Sequence, residues 1–446
     1  MKQKAIFLWL LCGLATFFAC GSSSNPSTTP PTTVLPHRAL ISNLTNSRID
    51  VADTTRDLIV TTISAELPGL MRLSSDKKYT LVVSPTDDSV EFLQNSTQGS
   101  LGSATLGGAS QSVVLTVDNA LILGAVPTES GPVGQAPGAV DVVSVALSSV
   151  GTTISATLTK QPSIFLPGAR FLAPTPDTNP ILAMSDLVAN PANPGGPAGR
   201  VWAIKSSLVN TNVQPYEEIV STVWDHPVFA IGSPDDLFMY VLNCGPECGG
   251  AQASLVKVDL TVEPPAVLAQ LLLPSGGTTA YLSGNTLYVA GSDPSVANCP
   301  TPTTGNPIPS PCGALTPVDL NAFTVSTSYV IAGGYHDRMT LGSNNLLFVG
   351  SHGCNFDPAA GFGCLSRFDT VKLQATVLPP FAFTAPDNGP GNDDVTGMTP
   401  IANRNEVYVI EAGELLIYDT TTGLPKVLDN PPNVVGQGVD VIALDF

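Results

Sequence analysis

Positive charge is the scarcest resource in this chain. Of 446 residues only 12% are charged, and 18 Lys and Arg face 36 Asp and Glu, a net charge of −18. No Lys/Arg cluster stands out, so a phosphate backbone would be repelled and nucleic acid is excluded as a partner. Histidine is nearly as rare, with four in all. There is no Gly-x-Ser-x-Gly, no His-Glu-x-x-His, no phosphate-binding loop and no dinucleotide fingerprint, so no standard catalytic signature points to an activity. Amphipathic helices are missing after the first 20 residues. Gly and Pro, at 40 each, indicate many turns instead. Apolar residues at 43% argue against disorder and suit extensive buried sheet.

What is present is repetition. A short apolar strand ends in a small-residue turn, and a second strand follows that often finishes in Asp-Thr. Clear copies are Arg38-Ala-Leu-Ile-Ser-Asn43 leading into Ser47-Arg-Ile-Asp-Val-Ala-Asp53-Thr54-Thr55, and Asn405-Glu-Val-Tyr-Val-Ile410 leading into Leu415-Leu-Ile-Tyr-Asp419-Thr420. A period of roughly 50 residues with several strands per copy is the mark of a β-propeller. With strands lettered A to D from the axis outward, eight B strands are legible, beginning at Arg38, Lys78, Ala120, Pro180, Leu237, Thr286, Leu346 and Glu406. The reading is all-β, a single propeller of eight four-stranded blades. Seven is the alternative, if two weak repeats merge around residues 119–206. The chain opens at a B strand and closes on Val439–Phe446, which reads as the missing A strand of the first blade. The ring is therefore expected to close by pairing its C-terminal strand with its N-terminal blade.

The pattern resembles the bacterial YVTN-type propeller repeat. Leu40-Ile-Ser-Asn43, Val51-Ala-Asp53-Thr54, Thr61-Thr-Ile63 and Leu73-Ser-Ser-Asp76-Lys77 follow that family's order, as do Leu287–Ala290, Tyr408-Val409 and Ser233-Pro234-Asp235. The family is defined by fold and includes surface proteins, binding modules and lactonase-like relatives, so the resemblance carries no catalytic residues to this chain.

The N-terminus reads as an address. Lys2 and Lys4 precede the apolar run Ala5–Leu11, and Ala15-Thr-Phe-Phe-Ala19-Cys20 ends it with a small residue. The apolar run is too short for a comfortable membrane span. The segment resembles a bacterial lipoprotein signal, with Phe17 standing where Leu is usual. The resemblance implies removal of residues 1–19, lipidation of Cys20 and, with Gly21 rather than Asp next, the outer membrane. Cleavage would take the net charge from −18 to −20. The alternative is an ordinary secreted protein cut near Ala19. Residues 20–36 form a Ser/Thr/Pro-rich tether, and residues 37–446 form the propeller.

Six cysteines remain after Cys12 and Cys20 are set aside: Cys244 and Cys248, Cys299 and Cys312, Cys354 and Cys364. Each pair falls within one B–C connection. In an exported protein this suggests three local disulfides. A metal site is the alternative, given the spacing of Cys244 and Cys248 and the nearness of His352 to Cys354.

B–C and D–A loops emerge on one face of a propeller. The D–A connections bring Asp225 and His226, His336 and Asp337, and Asp393 and Asp394 toward the mouth of the central channel, where they are candidate ligand-binding residues. A divalent cation is a possible cofactor there, and no other cofactor is implied. Two functions follow. One is a lipid-anchored, monomeric cell-envelope module that binds a protein, glycan or small molecule. The other is a lactonase-like or lyase-like enzyme using the cation.

Overall fold

The computed structural model describes residues 35–151, 153–292, 312–354, 363–380, 394–428 and 432–445. Within them lie eight antiparallel sheets, each built on a path of four strands in A-B-C-D order, with a short fifth strand, Ile164–Phe165 or Tyr329–Ile331, added to the C strand of the third and sixth, and almost no helix. The predicted eight blades are present, and the region around residues 119–206 holds two of them. Their B strands run His37–Asn43, Tyr79–Ser84, Leu121–Val126, Ile181–Ala189, Phe238–Asn243, Thr286–Ser292, Leu346–His352 and Glu406–Glu411. Each inner strand touches the next around the full circle, from Met71–Leu73 through Val395–Ile401 and on to Gly438–Asp445.

The reason lies in the period of two along a strand, which sends successive side chains to opposite faces. In a blade both faces are covered, one by each neighbour. In the fourth B strand, Ile181 and Ala183 enter the cluster shared with blade 3, while Leu182 and Met184 enter the cluster shared with blade 5. The described core is thus eight clusters, one in each gap between neighbouring blades. B strands are therefore buried almost from end to end, as Tyr79–Ser84 and Glu406–Glu411 are. The outer D strands, covered on one face, alternate instead, as Ala266–Leu272 does from end to end.

The A–B hairpins share a local device. A hydroxyl donates to a carboxylate two residues on: Ser74 to Asp76, Thr116 to Asp118, Thr175 to Asp177 and Ser233 to Asp235, at 2.5–2.7 Å. The following residue, such as Lys77 or Asp236, takes the left-handed backbone. The turn aspartate organises the loop by accepting hydrogen bonds and leaves the left-handed position to its neighbour.

Ring closure is observed. Gly438–Asp445 pairs antiparallel with the first B strand, from His37 opposite Asp445 to Asn43 opposite Gly438. The first residue of that B strand, His37, places Nδ1 3.0 Å from Asp445 Oδ1. Two of the expected disulfides are formed, Cys244–Cys248 and Cys354–Cys364. Cys312 is also disulfide-bonded, and Cys299 lies outside the described residues.

Candidate functional site

Where A strands begin, the ring opens into an axial cavity of about 700 Å³. Blades 2, 4 and 7 send Arg72, Arg170, Tyr335, Asp337, Arg338 and His352 to its wall. Three of the chain's nine arginines thus line one cavity of an acidic protein. Arg72 lies inside the ring, yet 46% of its side chain stays accessible, because channel water reaches it. Its Nη1 donates to the Met71 carbonyl, 3.0 Å away, and stands 4.0 Å from Asp440 Oδ2. Burial pushes the Asp440 carboxyl up. Its oxygens are taken by the amides of Met71 and Val441, at 2.8 and 2.9 Å. Asp440 is therefore a weak counter-charge for Arg72.

Blade 7 supplies four of these six side chains, and its inner strand is irregular. Pairing shifts between His336 and Arg338, so one residue is extra at Asp337. Asp337 and Arg338 both reach the cavity as a result, with Arg338 Nη1 3.1 Å from Asp337 Oδ2 and Nε donating to Thr396 O at 2.6 Å. Blades 5 and 8 carry the same irregularity, at Pro227–Phe229 and Val395–Gly397. His352 stands between two carboxylates, its Nε2 2.9 Å from Asp337 Oδ1 and its Nδ1 3.7 Å from Asp394 Oδ2. Asp337 first, and Asp394 with it, raises the imidazole pKa to about 9. Burial alone would raise the Asp394 carboxyl, but His352 and the Gly353 amide outweigh it and hold it below the usual range.

The cavity wall carries three guanidiniums and an imidazolium against one carboxylate. Asp186, Asp394 and Asp440 lie outside that lining but beside its cations, and Asp186 Oδ2 accepts from Arg170 Nη1 at 3.0 Å.

A side pocket of about 450 Å³ adjoins it. Arg170 and Tyr335 line both spaces, and Asp186, His226 and Cys248 line the pocket alone. Burial, with Asp337 adding to it, pushes the Tyr335 phenol up to about 12, so it stays protonated and able to donate. Asp225 accepts from His226 Nδ1 at 2.9 Å through Oδ1, and from the amides of Ala251 and Gln252 at 2.8 Å through Oδ2. It thereby ties the end of the B–C connection of blade 5 to the histidine.

The sequence-derived candidates separate into three places. Asp337 reaches the axial cavity, and Asp394 braces it from behind. Asp225 and His226 belong to the side pocket. His336 goes elsewhere. It is buried at the gap between blades 6 and 7, its Nε2 2.9 Å from Ala332 O, and burial lowers its pKa to about 4. It is a neutral core histidine. Asp393 lies outside the described residues. Among the described residues, no three His, Cys, Asp or Glu are grouped to hold a metal ion. Arg72, Arg170, Tyr335 and His352 were missed as site residues. Arg170 and Tyr335 had a signal, since they stand where D–A loops become A strands, as His226 does.

No protein-family model and no curated protein matches this chain. Solved structures do. Dihydro-heme d1 dehydrogenase NirN in complex with DHE is 10% identical with a TM-score of 0.61, over 91% of this chain and 75% of NirN. Apo AztD from Citrobacter koseri is 13% identical with a TM-score of 0.53, over 92% and 98%. A functionally unknown protein from Desulfotomaculum acetoxidans is 14% identical with a TM-score of 0.51, over 91% and 98%. At these identities the likeness is one of β-propeller fold alone.

Proposed function

We propose that this chain is an exported, lipid-anchored propeller of the cell envelope, with YVTN-like repeats, that binds a small carboxylate-bearing molecule in its axial cavity. The observation that carries the reading is the concentration of Arg72, Arg170, Arg338 and cationic His352 around one cavity. Guanidiniums in a low-dielectric cleft are suited to planar carboxylates, which they take up in bidentate geometry. Surrounding negative charge sharpens the selection, since an anion is attracted only where the wall is cationic.

Succinate is the probe, titrated into the full chain by calorimetry. Saturable binding is expected, and Arg72→Gln should weaken it by roughly 10- to 100-fold, the worth of a hydrogen bond to a charged group. The pH dependence has a definite sign. His352 has its pKa raised, from 6.5 to about 9, so its charge is present below that value and lost as pH rises through it. Affinity should therefore hold across neutral pH and fall above about 9. An affinity insensitive to Arg72→Gln, or no heat at millimolar succinate, contradicts the reading.

The anchor has its own test. A Cys20→Ala chain should leave the membrane fraction for the soluble one, and unchanged partition would refute lipidation.

A further inference from the structure

We propose that His226, held by Asp225, is a general base that hydrolyses a carboxylate-bearing ester or lactone whose acid group lies in the axial cavity. The inference rests on the anion-binding reading and adds chemistry to it.

The geometry begins with the ring nitrogens. Asp225 Oδ1 accepts from Nδ1 of His226, which leaves Nε2 as the nitrogen free to act, and His226 lines the side pocket. A carboxylate on one nitrogen fixes the tautomer and supports the imidazolium that forms when the other takes a proton. The carboxylate is itself fixed. Its other oxygen accepts from the backbone amides of Ala251 and Gln252, in the B–C connection that the Cys244–Cys248 disulfide opens. That loop presses so closely that a Cβ on Gly250 would overlap Asp225 Oδ1. His226 sits at φ 55, a left-handed backbone unusual for histidine, held by its amide to Ala198 O at 2.7 Å and by Cys244 N to its carbonyl at 2.9 Å. Asp186 lines the same pocket, and its Oδ2 accepts from Arg170 Nη1 at 3.0 Å, which holds that guanidinium at the boundary of the two spaces.

The two spaces divide the labour. A carboxylate near Arg72 and Arg338 leaves the reacting carbonyl at the shared boundary, between Arg170 and Tyr335. His226 Nε2 takes a proton from water as the water oxygen bonds to the carbonyl carbon. The carbonyl electron pair moves onto its oxygen, where the Tyr335 hydroxyl and the Arg170 guanidinium meet the charge. The pair returns, the carbon–oxygen bond to the alcohol breaks, and the leaving alkoxide takes the proton back from Nε2. One water is consumed, and an acid and an alcohol are released. His226 is the catalytic residue and Asp225 the positioning residue.

The probe is mono-4-nitrophenyl succinate, followed at 400 nm (about the absorbance of the freed phenolate) with the full chain. Hydrolysis above the buffer rate is expected, and His226→Gln should lower kcat roughly 10²- to 10⁴-fold. Arg72→Gln should raise KM instead. Nitrogen-15 NMR of the unmodified chain, labelled at histidine, should show His226 protonated at Nδ1 and bare at Nε2. Asp225→Asn should abolish that tautomer preference along with turnover, a loss that a merely structural role would not link. An Nε2-protonated His226, or hydrolysis equal in wild type and His226→Gln, overturns the proposal. Succinate binding without ester hydrolysis removes the general base and leaves the anion site standing. Absence of succinate binding removes the anion site on which both depend.

Discussion

Ending the chain at Gly438 should cost the protein its cooperative melting transition or lower the midpoint by about 5 °C or more. The removed strand is the inner edge of blade 1 and pairs with the B strand over its whole length. Val441 and Leu444 are buried in the clusters on either side of that blade, each worth about 1.5–3 kcal/mol. Asp440 adds a tie to blade 2 through the Met71 amide at 2.8 Å. The lost contacts sum to several kcal/mol, against a total stability of about 5–15 kcal/mol for an ordinary folded protein. Deletion also exposes the open edge of His37–Asn43, a strand otherwise paired on both sides. A melt shifted by less than about 2 °C would show that the ring does not depend on its seam.

The outer side of the same seam yields the second large effect. Asp57, in the C–D turn of blade 1, accepts from Arg404 Nη1 and Nη2 at 3.1 Å, from Tyr408 OH at 2.7 Å and from Lys426 Nζ at 2.9 Å. All three partners belong to blade 8, so one carboxylate joins the last blade to the first. Burial, then the Asp57 carboxylate itself, drives the Tyr408 phenol pKa up, so it remains a donor at any pH the protein meets. Asp57→Ala leaves the buried Tyr408 hydroxyl without its acceptor, leaves Arg404 and Lys426 to Glu406 alone, and puts a Cβ-bearing residue with no turn-forming side chain at φ 56. The expected loss is about 3–5 kcal/mol in urea unfolding, the usual cost of breaking a buried pair from one side. Asp57→Asn keeps an acceptor and a residue type tolerant of that backbone, and should lose less. Because both changes act on one seam, Asp57→Ala combined with the truncation should cost less than the two separately. A loss below about 1 kcal/mol for Asp57→Ala would mean that the network only accompanies closure.

Much of the fold was legible because each blade writes its own period. Strands such as Glu406–Glu411 and Glu414–Asp419 are bounded by turns whose residues are chemically committed, and their limits were read to within a residue or two. Closure was legible because the chain begins at a B strand and ends at an A strand. The site was legible only in part. Asp225, His226, Asp337 and Asp394 do stand near the mouth, since they belong to the connections that open there. His336 does not, because one extra residue in its strand turned it into the gap between blades 6 and 7 and sent its neighbours inward. Arg72 is a single basic residue in a three-residue strand, with nothing around it to announce a ligand.

Taken alone, the sequence determined the propeller architecture, the order of its strands and the closing of the ring, and it favoured eight blades over seven and local disulfides over a metal site. These depend on alternation and turn chemistry, which act over a few residues. Only the tertiary structure decided that residues as distant as Arg72 and His352 share one cavity, and that His226 lines a side pocket while Asp225 holds its Nδ1. Convergence on an axis depends on where each blade sits around the circle and on bulges one residue long, and no local spacing encodes either.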